Sequence, residues 1–386
     1  THKRRVGLNS PPSVCMLLKK LPGNRVLMVR LVAICRLLAA LAPTFPARAQ
    51  GFETKAAQAF LLDADTNAIL YSKNADELFP PASLAKLMTA ELLFRALETG
   101  QLSLQQELPV SEHAWRTGGA PSGTATMFAA VKSSVPVEAL MQGIIVQQAN
   151  DGCIILAEGM AGSEEAFARL MTQRARELGL SKSTFVNPTG LPAEGQQITA
   201  REGALLSQHL WRKYPKYYHY FGQEDFEWNR IRQRNRVLRL GIGADGLALG
   251  FTEGHGYAIA ASMERAGRRL FAVLAGIPEE KERPEEARKL LEWGFSAFSK
   301  RQLFRAGEIV GEASVYGGAR GSVALRTSGP LSALLPTGDS QRYSARIVYN
   351  GPVAAPIDEG MAIGTLQIWI DERLSQETEL YAAESV

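Results

Sequence analysis

The chain has 386 residues, 46% of them hydrophobic and 21% charged. That is enough apolar material for two domains with cores, and it excludes a disordered chain. The formal net charge of +4 comes from one end: residues 1–49 carry nine Lys or Arg and no Asp or Glu, which leaves 34 basic against 39 acidic residues elsewhere. A nucleic-acid partner therefore has no electrostatic support.

The basic end reads as an export signal. Met28-Val29-Arg30 is a short positive start, Leu31 to Phe45 is mostly apolar despite Arg36, and Ala47-Arg48-Ala49 fits a cleavage site after Ala49. The uninterrupted apolar run falls short of the ~20 residues a membrane span needs. Residues 1–49 are therefore set apart from the fold as a signal or extension segment. Cys15 and Cys35 lie inside it, and Cys153 sits among Ile154, Ile155 and Leu156 as a buried structural thiol.

Ala56 to Leu62 and Ala68 to Tyr71 flank a polar turn and predict a β-hairpin. After Pro80-Pro81 the period changes: Leu84, Leu87, Met88, Leu92 and Leu93 predict a helix that stops at Gly100. Residues 116–126 are a Gly/Ser/Thr/Pro loop. Val137 to Glu158 and Glu164 to Leu178 read as helices, and the segment from Ala258 as a second hairpin followed by a helix. Strands at both ends with helices between them predict that the first and last segments share one sheet. Beyond about residue 305, short β-type runs at 309–315, 321–326, 342–349 and 361–370 alternate with turns and predict a small all-β domain. The expected division is 1–49, 50–303 and 304–386.

Ser83 and Lys86, in "PPASLAKLM", stand three residues apart at the start of a helix and share a face. A serine hydroxyl is a nucleophile only when a base takes its proton. A lysine serves as that base when burial lowers its pKa. The helix start adds N–H groups suited to an oxyanion. Alone, the pair is equally a capping serine and a solvated lysine.

The order of the hairpin, "PPASLAKLMTA", "MQGIIVQQANDGCIILAE", "STFVNPTGLP", "ADGLALGFTEGHGYAIAAS" and "YNGPVAAPIDEGMAIGTLQIWI" resembles the D-alanyl-D-alanine carboxypeptidases, the low-molecular-mass penicillin-binding proteins, over residues 54–386. The resemblance implies an α+β fold: a penicillin-binding/β-lactamase-like domain, with helices packed on an antiparallel sheet, followed by a small all-β domain. It implies Ser83 as the acylated nucleophile with Lys86 as base. The second motif, usually Ser-x-Asn, is here Gln148-Ala149-Asn150. Asn150 would hold the substrate carbonyl and hydrogen-bond Lys86, while Gln148 replaces a hydroxyl and cannot relay a proton. The third motif, usually Lys-Thr-Gly, is here Ala248-Leu249-Gly250, followed by Phe251 and Thr252. Ala248 cannot attract the substrate carboxylate, a loss of ~2–5 kcal/mol. Gly250 would let a ligand approach the strand, and the Phe251 N–H would complete an oxyanion hole with that of Ser83.

The expected partners are a peptidoglycan stem peptide and β-lactams as acylating inhibitors, with no cofactor and no metal, since the histidines show no ligand spacing. The expected function is trimming of peptidoglycan pentapeptide in the periplasm, with association to the inner membrane left open and no C-terminal membrane helix before Val386. Two alternatives remain. One is a catalytically impaired homologue that binds peptidoglycan or partner proteins. The other is an enzyme whose carboxylate partner comes from elsewhere, such as Arg265. Tyr214, Tyr217, Tyr218, Tyr220, Phe221, Phe226 and Trp228 read as a packed connector, and Asn187-Pro188-Thr189-Gly190 as a structural turn.

Overall fold

The computed structural model describes residues 2–6 as backbone, together with 52–338 and 342–386. The signal expected at 28–49 lies outside the described residues. The described piece of the segment set apart, His2–Val6, is a strand paired antiparallel with Tyr343–Tyr349, so it joins the C-terminal sheet.

The first hairpin forms as its pattern predicts. Strand β1 (Gln58–Asp63) is buried at every position, and β2 (Ile69–Lys73) returns beside it. Asp63 fixes the turn by accepting from the Thr66 N–H at 2.9 Å and its hydroxyl at 2.7 Å. Strands β3 (Leu247–Thr252), β4 (Gly256–Arg265) and β5 (Arg268–Ile277) complete a five-stranded antiparallel sheet in the order β2-β1-β5-β4-β3. The chain's first and last segments in this domain are thus neighbours, and β3 is a free edge. The sheet is apolar on both faces because helices cover both. Phe60, Ala260 and Phe271 pack toward helices α1 (Lys86–Glu98), α2 (Asn150–Ala161), α3 (Glu164–Glu177) and α4 (Ala200–Lys213). Leu61, Ile259 and Leu274 pack toward α5 (Arg283–Ser296).

The single helix expected over Val137 to Glu158 is broken. A helical run ends at Gln142, one π-turn spans Gly143–Gln147, Gln148 is left-handed with φ 58°, and α2 starts at Asn150. The cause is competition for backbone groups. The Asn150 N–H goes to the Ala125 carbonyl at 2.7 Å. The buried Asp151 carboxylate takes the Met127 and Ala129 N–H groups at 2.9 and 3.1 Å and the Thr126 hydroxyl at 2.7 Å. The 116–129 loop is thereby sewn to the start of α2, and the interruption places residues 148–150 at the mouth of a cleft.

The C-terminal residues fold as an all-β unit. Its main sheet runs His2–Val6, Tyr343–Tyr349, Ala362–Ile370, Arg373–Ala382, Ser322–Arg326, Ile309–Tyr316 and Val353–Ala354. Its own core is built on Val310, Val323, Leu325, Ile347, Leu366 and Leu380. Phe298, Leu334 and Ile370 pack into the cluster under α5, joining the two units. Among the described residues, no helix is long and apolar enough to cross a membrane.

Candidate functional site

Ser83 does not cap a helix. It sits inside the 3-10 turn Ala82–Ala85 that runs into α1, half-buried, with no side-chain capping bond. Its Oγ instead accepts from Lys86 Nζ at 2.9 Å. Lys86 is 4% exposed and also donates to the Thr189 carbonyl at 2.5 Å. Burial lowers its pKa from the ordinary lysine value to about 8, and the Arg236 charge adds to the lowering. Cys153 is itself fully buried, and burial pushes its thiol up to about 12, so it stays neutral and serves as an apolar wall. The arrangement can pass a proton from Ser83 Oγ to Lys86 Nζ near neutral pH.

The loop carrying Thr189 is held rigidly. Asn187 Oδ1 accepts from the N–H groups of Thr189 and Gly190 and from the Thr189 hydroxyl, and Thr89 on α1 donates to the Pro188 carbonyl at 2.7 Å. Gly190 has φ +81°, and a Cβ there would overlap the Ala82 carbonyl, so only glycine lets this loop reach the serine turn. Helix α1 is fixed at its middle by Glu91, which is fully buried and accepts from Arg174 Nε at 2.7 Å and the Tyr214 hydroxyl at 3.1 Å. Burial alone would raise the Glu91 pKa, but nearby His209 and the Arg174 bond outweigh it and hold the carboxyl below its ordinary range.

Facing this half lies strand β3. Ala248 is 1% exposed and packs in the apolar cluster beneath α1. Gly250 approaches the protein's own serine turn: a Cβ there would lie 3.1 Å from Leu84, 3.2 Å from Ala82 and 3.3 Å from the Pro81 carbonyl. The glycine thus seats the strand on the turn. Gln148 reaches across from the break before α2. With its amide oriented to match donors to acceptors, it donates to the Leu249 carbonyl and accepts from the Leu249 N–H, both at 2.9 Å. Leu249 therefore turns its backbone groups to the cleft, and by the alternation of an antiparallel ladder Phe251 does too, while Gly250 pairs with Ala258 on β4. The Phe251 side chain is exposed and lies against Tyr257, ring centroids 4.6 Å apart.

The family model for D-alanyl-D-alanine carboxypeptidase (peptidase S11) matches residues 44–278, and that for the penicillin-binding protein 5 C-terminal domain matches 298–386. The chain is 34% identical to D-alanyl-D-alanine carboxypeptidase DacC of Escherichia coli K12 over 353 residues, 89% of this chain and 88% of that one. Penicillin-binding protein 5 from Haemophilus influenzae superposes with a TM-score of 0.74 at 30% identity, covering 87% of this chain and 98% of that one. Penicillin-binding protein D2 of Listeria monocytogenes, solved in its ampicillin-bound form, gives 0.54 at 28% identity over 64% and 99%. The chain belongs to the D-alanyl-D-alanine carboxypeptidase family. It is a serine hydrolase by that membership.

Among the family's motif positions, Asn150 departs from expectation in its contacts. Its Nδ2 donates to Thr124 Oγ1 at 2.9 Å, and its buried Oδ1 has no partner. The carbonyl of Thr189, not Asn150, takes the second Lys86 proton. The "NPTG" turn is therefore part of this family member's site, although nothing in its sequence marks a backbone carbonyl as functional.

Arg265 is not the missing carboxylate partner. It forms a double bond with Glu292 at 2.7 and 2.8 Å over the Phe295 ring, at the far end of β4. Two other arginines are candidates. Arg283, at the start of α5, is 5% exposed, lies over Tyr257, donates to the Gly250 carbonyl at 3.4 Å, and leaves its Nε unpaired. Burial lowers its pKa; the Glu280 carboxylate pulls it up, and the Arg236 charge pushes it down. The charge of Arg236, an exposed side chain, acts on both Lys86 and Arg283. Both arginines were hidden among 43 basic residues.

On the other side of the serine, Thr252 lines a groove of about 400 Å³ with Pro80, Ala82, Gly190, Pro192 and Gln196. The aromatic segment packs as a connector, with Tyr214, Tyr217, Tyr218, Phe221 and Phe226 buried. His113 pairs with Glu164 at 2.7 Å, and the partly buried His209 lies 3.1 Å from the buried Glu91 carboxylate. Among the described residues, no group of three or more His, Cys, Asp or Glu could hold a metal.

Proposed function

We propose that the protein removes the terminal D-alanine from peptides ending in D-Ala-D-Ala, through an acyl-enzyme on Ser83. Lys86 takes the Ser83 proton as Oγ attacks the penultimate carbonyl. The N–H groups of Ser83 and Phe251 receive the oxyanion, and the lysine ammonium returns the proton to the departing D-alanine nitrogen. Water, deprotonated by Lys86, then hydrolyses the ester and frees Ser83. Asn150, with its unpaired Oδ1, positions the peptide. Arg283 and Arg236 receive the terminal carboxylate in place of a third-motif lysine. The groove beside Thr252 takes the rest of the stem peptide.

One observation carries this function: a buried lysine of pKa about 8 lies 2.9 Å from the half-buried hydroxyl it must deprotonate. Peptidoglycan is the peptide source named by the family's chemistry, which implies export, with residues 1–49 removed after Ala49 and domains of 50–303 and 304–386. β-Lactams would acylate the same serine; the ampicillin-bound relative supports this.

The uncharged third motif supports a second function, an impaired homologue that binds peptide without turning it over. Incubation of residues 50–386 with a fluorescent penicillin, beside Ser83→Ala, separates the two. Label on the wild type alone, with D-alanine released from a diacetyl-L-Lys-D-Ala-D-Ala peptide, is expected. Label without D-alanine release leaves the binding function, and absence of label removes the nucleophile altogether.

A further inference from the structure

Gln148 and Leu249 together say how far a substrate can extend past the cut bond. If the reacting carbonyl meets the Phe251 N–H as proposed above, that residue's own N–H can reach the Phe251 carbonyl, which the ladder turns to the same side. One residue that exchanges both groups with one partner makes an antiparallel pair. The peptide then runs against the direction of β3. Its N-terminal part passes toward Thr252, where the open groove lies. Its C-terminal part passes toward Leu249.

Along that edge the next residue, the leaving one, stands opposite Gly250, whose backbone groups turn away to Ala258. Leaving nitrogen and carboxylate are thus free of the ladder. A further residue would stand ~6.8 Å on, opposite Leu249. Both backbone groups of Leu249 are already held by Gln148. The side chain that holds them is 3% exposed and springs from a left-handed residue, a conformation that costs a glutamine energy unless its contacts repay it.

We infer that Gln148 is an end-stop: its amide fills the ladder position of a second residue beyond the cut bond, restricting the enzyme to a single terminal residue as leaving group. The inference rests on the proposed acylation at Ser83. A neutral amide suits this task where the motif's usual hydroxyl does not, because only the longer side chain reaches Leu249 and saturates both its donor and its acceptor. Expelling it would leave two buried backbone groups to be re-paired by the substrate alone.

The test compares diacetyl-L-Lys-D-Ala-D-Ala with diacetyl-L-Lys-D-Ala-D-Ala-Gly, reading D-Ala and the dipeptide D-Ala-Gly by mass spectrometry. The wild type should release D-Ala-Gly about 100-fold or more slowly than D-Ala, the discrimination expected of a site that excludes by steric and polar misfit. Gln148→Ala should narrow that ratio by about tenfold or more, and so should Gln148→Asn, which is one methylene too short to span to Leu249. Penicillin label reports whether each variant is folded and reactive. A wild type that releases both products at similar rates overturns the end-stop, even where neither variant folds. Labelled variants with an unchanged ratio overturn it as well. A wild type that takes no label overturns the acylation on which it rests, a result distinct from both.

Discussion

The two walls of the cleft have been built by different chemistry. On the serine wall, charge is buried and every polar contact is short: Ser83, Lys86 and Thr189 form a chain of 2.9 and 2.5 Å bonds. On the facing wall, Ala248 is apolar and a neutral amide grips a backbone at 2.9 Å. The cations proposed to receive a carboxylate, Arg236 and Arg283, lie outside the strand. The contrast teaches that attack and reception are separable. Attack needs one pKa tuned by burial, which a single turn of helix and one carbonyl can supply. Reception needs only positive potential and a shaped edge, which several residues can supply from different elements.

The sharpest way to break the contrast is at its charged wall. Lys86→Ala should lower penicillin acylation by about 10³-fold or more, the upper range for loss of a positioned base. In the wild type the base must be neutral. With a pKa of about 8, the acylation rate should rise about tenfold per pH unit below that value and level off above it. The sign follows from the direction of the shift, since burial disfavours the ammonium and so makes the free amine available at lower pH. A profile that rises only near the ordinary lysine value, or not at all, would place the base elsewhere.

The next largest effect belongs to the relocated cations. Arg283→Met and Arg236→Met should each lower kcat/KM for a peptide with a free terminal carboxylate by about 30-fold, the equivalent of one lost charge-assisted partner. The same peptide as its terminal amide should change little. Equal losses on both peptides would mean that the arginines hold structure rather than carboxylate. A smaller effect, about tenfold in acylation with about 1–2 kcal/mol of stability, is expected for Gly250→Ala, because the added methyl meets Leu84, Ala82 and the Pro81 carbonyl at 3.1–3.3 Å. Thermal unfolding and penicillin labelling of the purified variant measure the two parts.

The serine wall was legible in the sequence because its chemistry is local. Ser83 and Lys86 are three residues apart, and the apolar period around them gives the helix that aligns them. The neighbouring sheet was legible too, from hairpins whose turns carry Asp, Asn and Gly. The facing wall was not. Gln148 and Leu249 are about a hundred positions apart, and as isolated letters they read only as lost motif residues. Thr189 acts through a backbone carbonyl, which no side chain announces. Arg265 and Arg283 are equivalent as letters; the far end of β4 sends one to Glu292, and the start of α5 brings the other beside Gly250. The break in the helix at 143–148 carries no proline, and it arises from a loop that captures the Asn150 N–H and the Asp151 carboxylate.

That loop offers the mildest perturbation, and it acts where the two walls meet. Asn150 is buried, with Nδ2 held by Thr124 Oγ1 at 2.9 Å and Oδ1 unpaired. Thr124→Val keeps the shape of the side chain and removes the acceptor. The amide then loses its side-chain tether to Thr124 while the backbone bond from Asn150 to Ala125 remains. Stability should fall by about 1 kcal/mol, the usual worth of one neutral hydrogen bond. Acylation should fall by less than about tenfold, because the amide is still confined by the loop and loses only its preferred rotamer. Asn150→Ala removes the amide itself and should cost more than Thr124→Val on peptide and penicillin alike. If the two variants lose acylation equally, Thr124 is doing more than orienting the amide; if Thr124→Val loses stability alone, Asn150 reaches its working position without help from the loop.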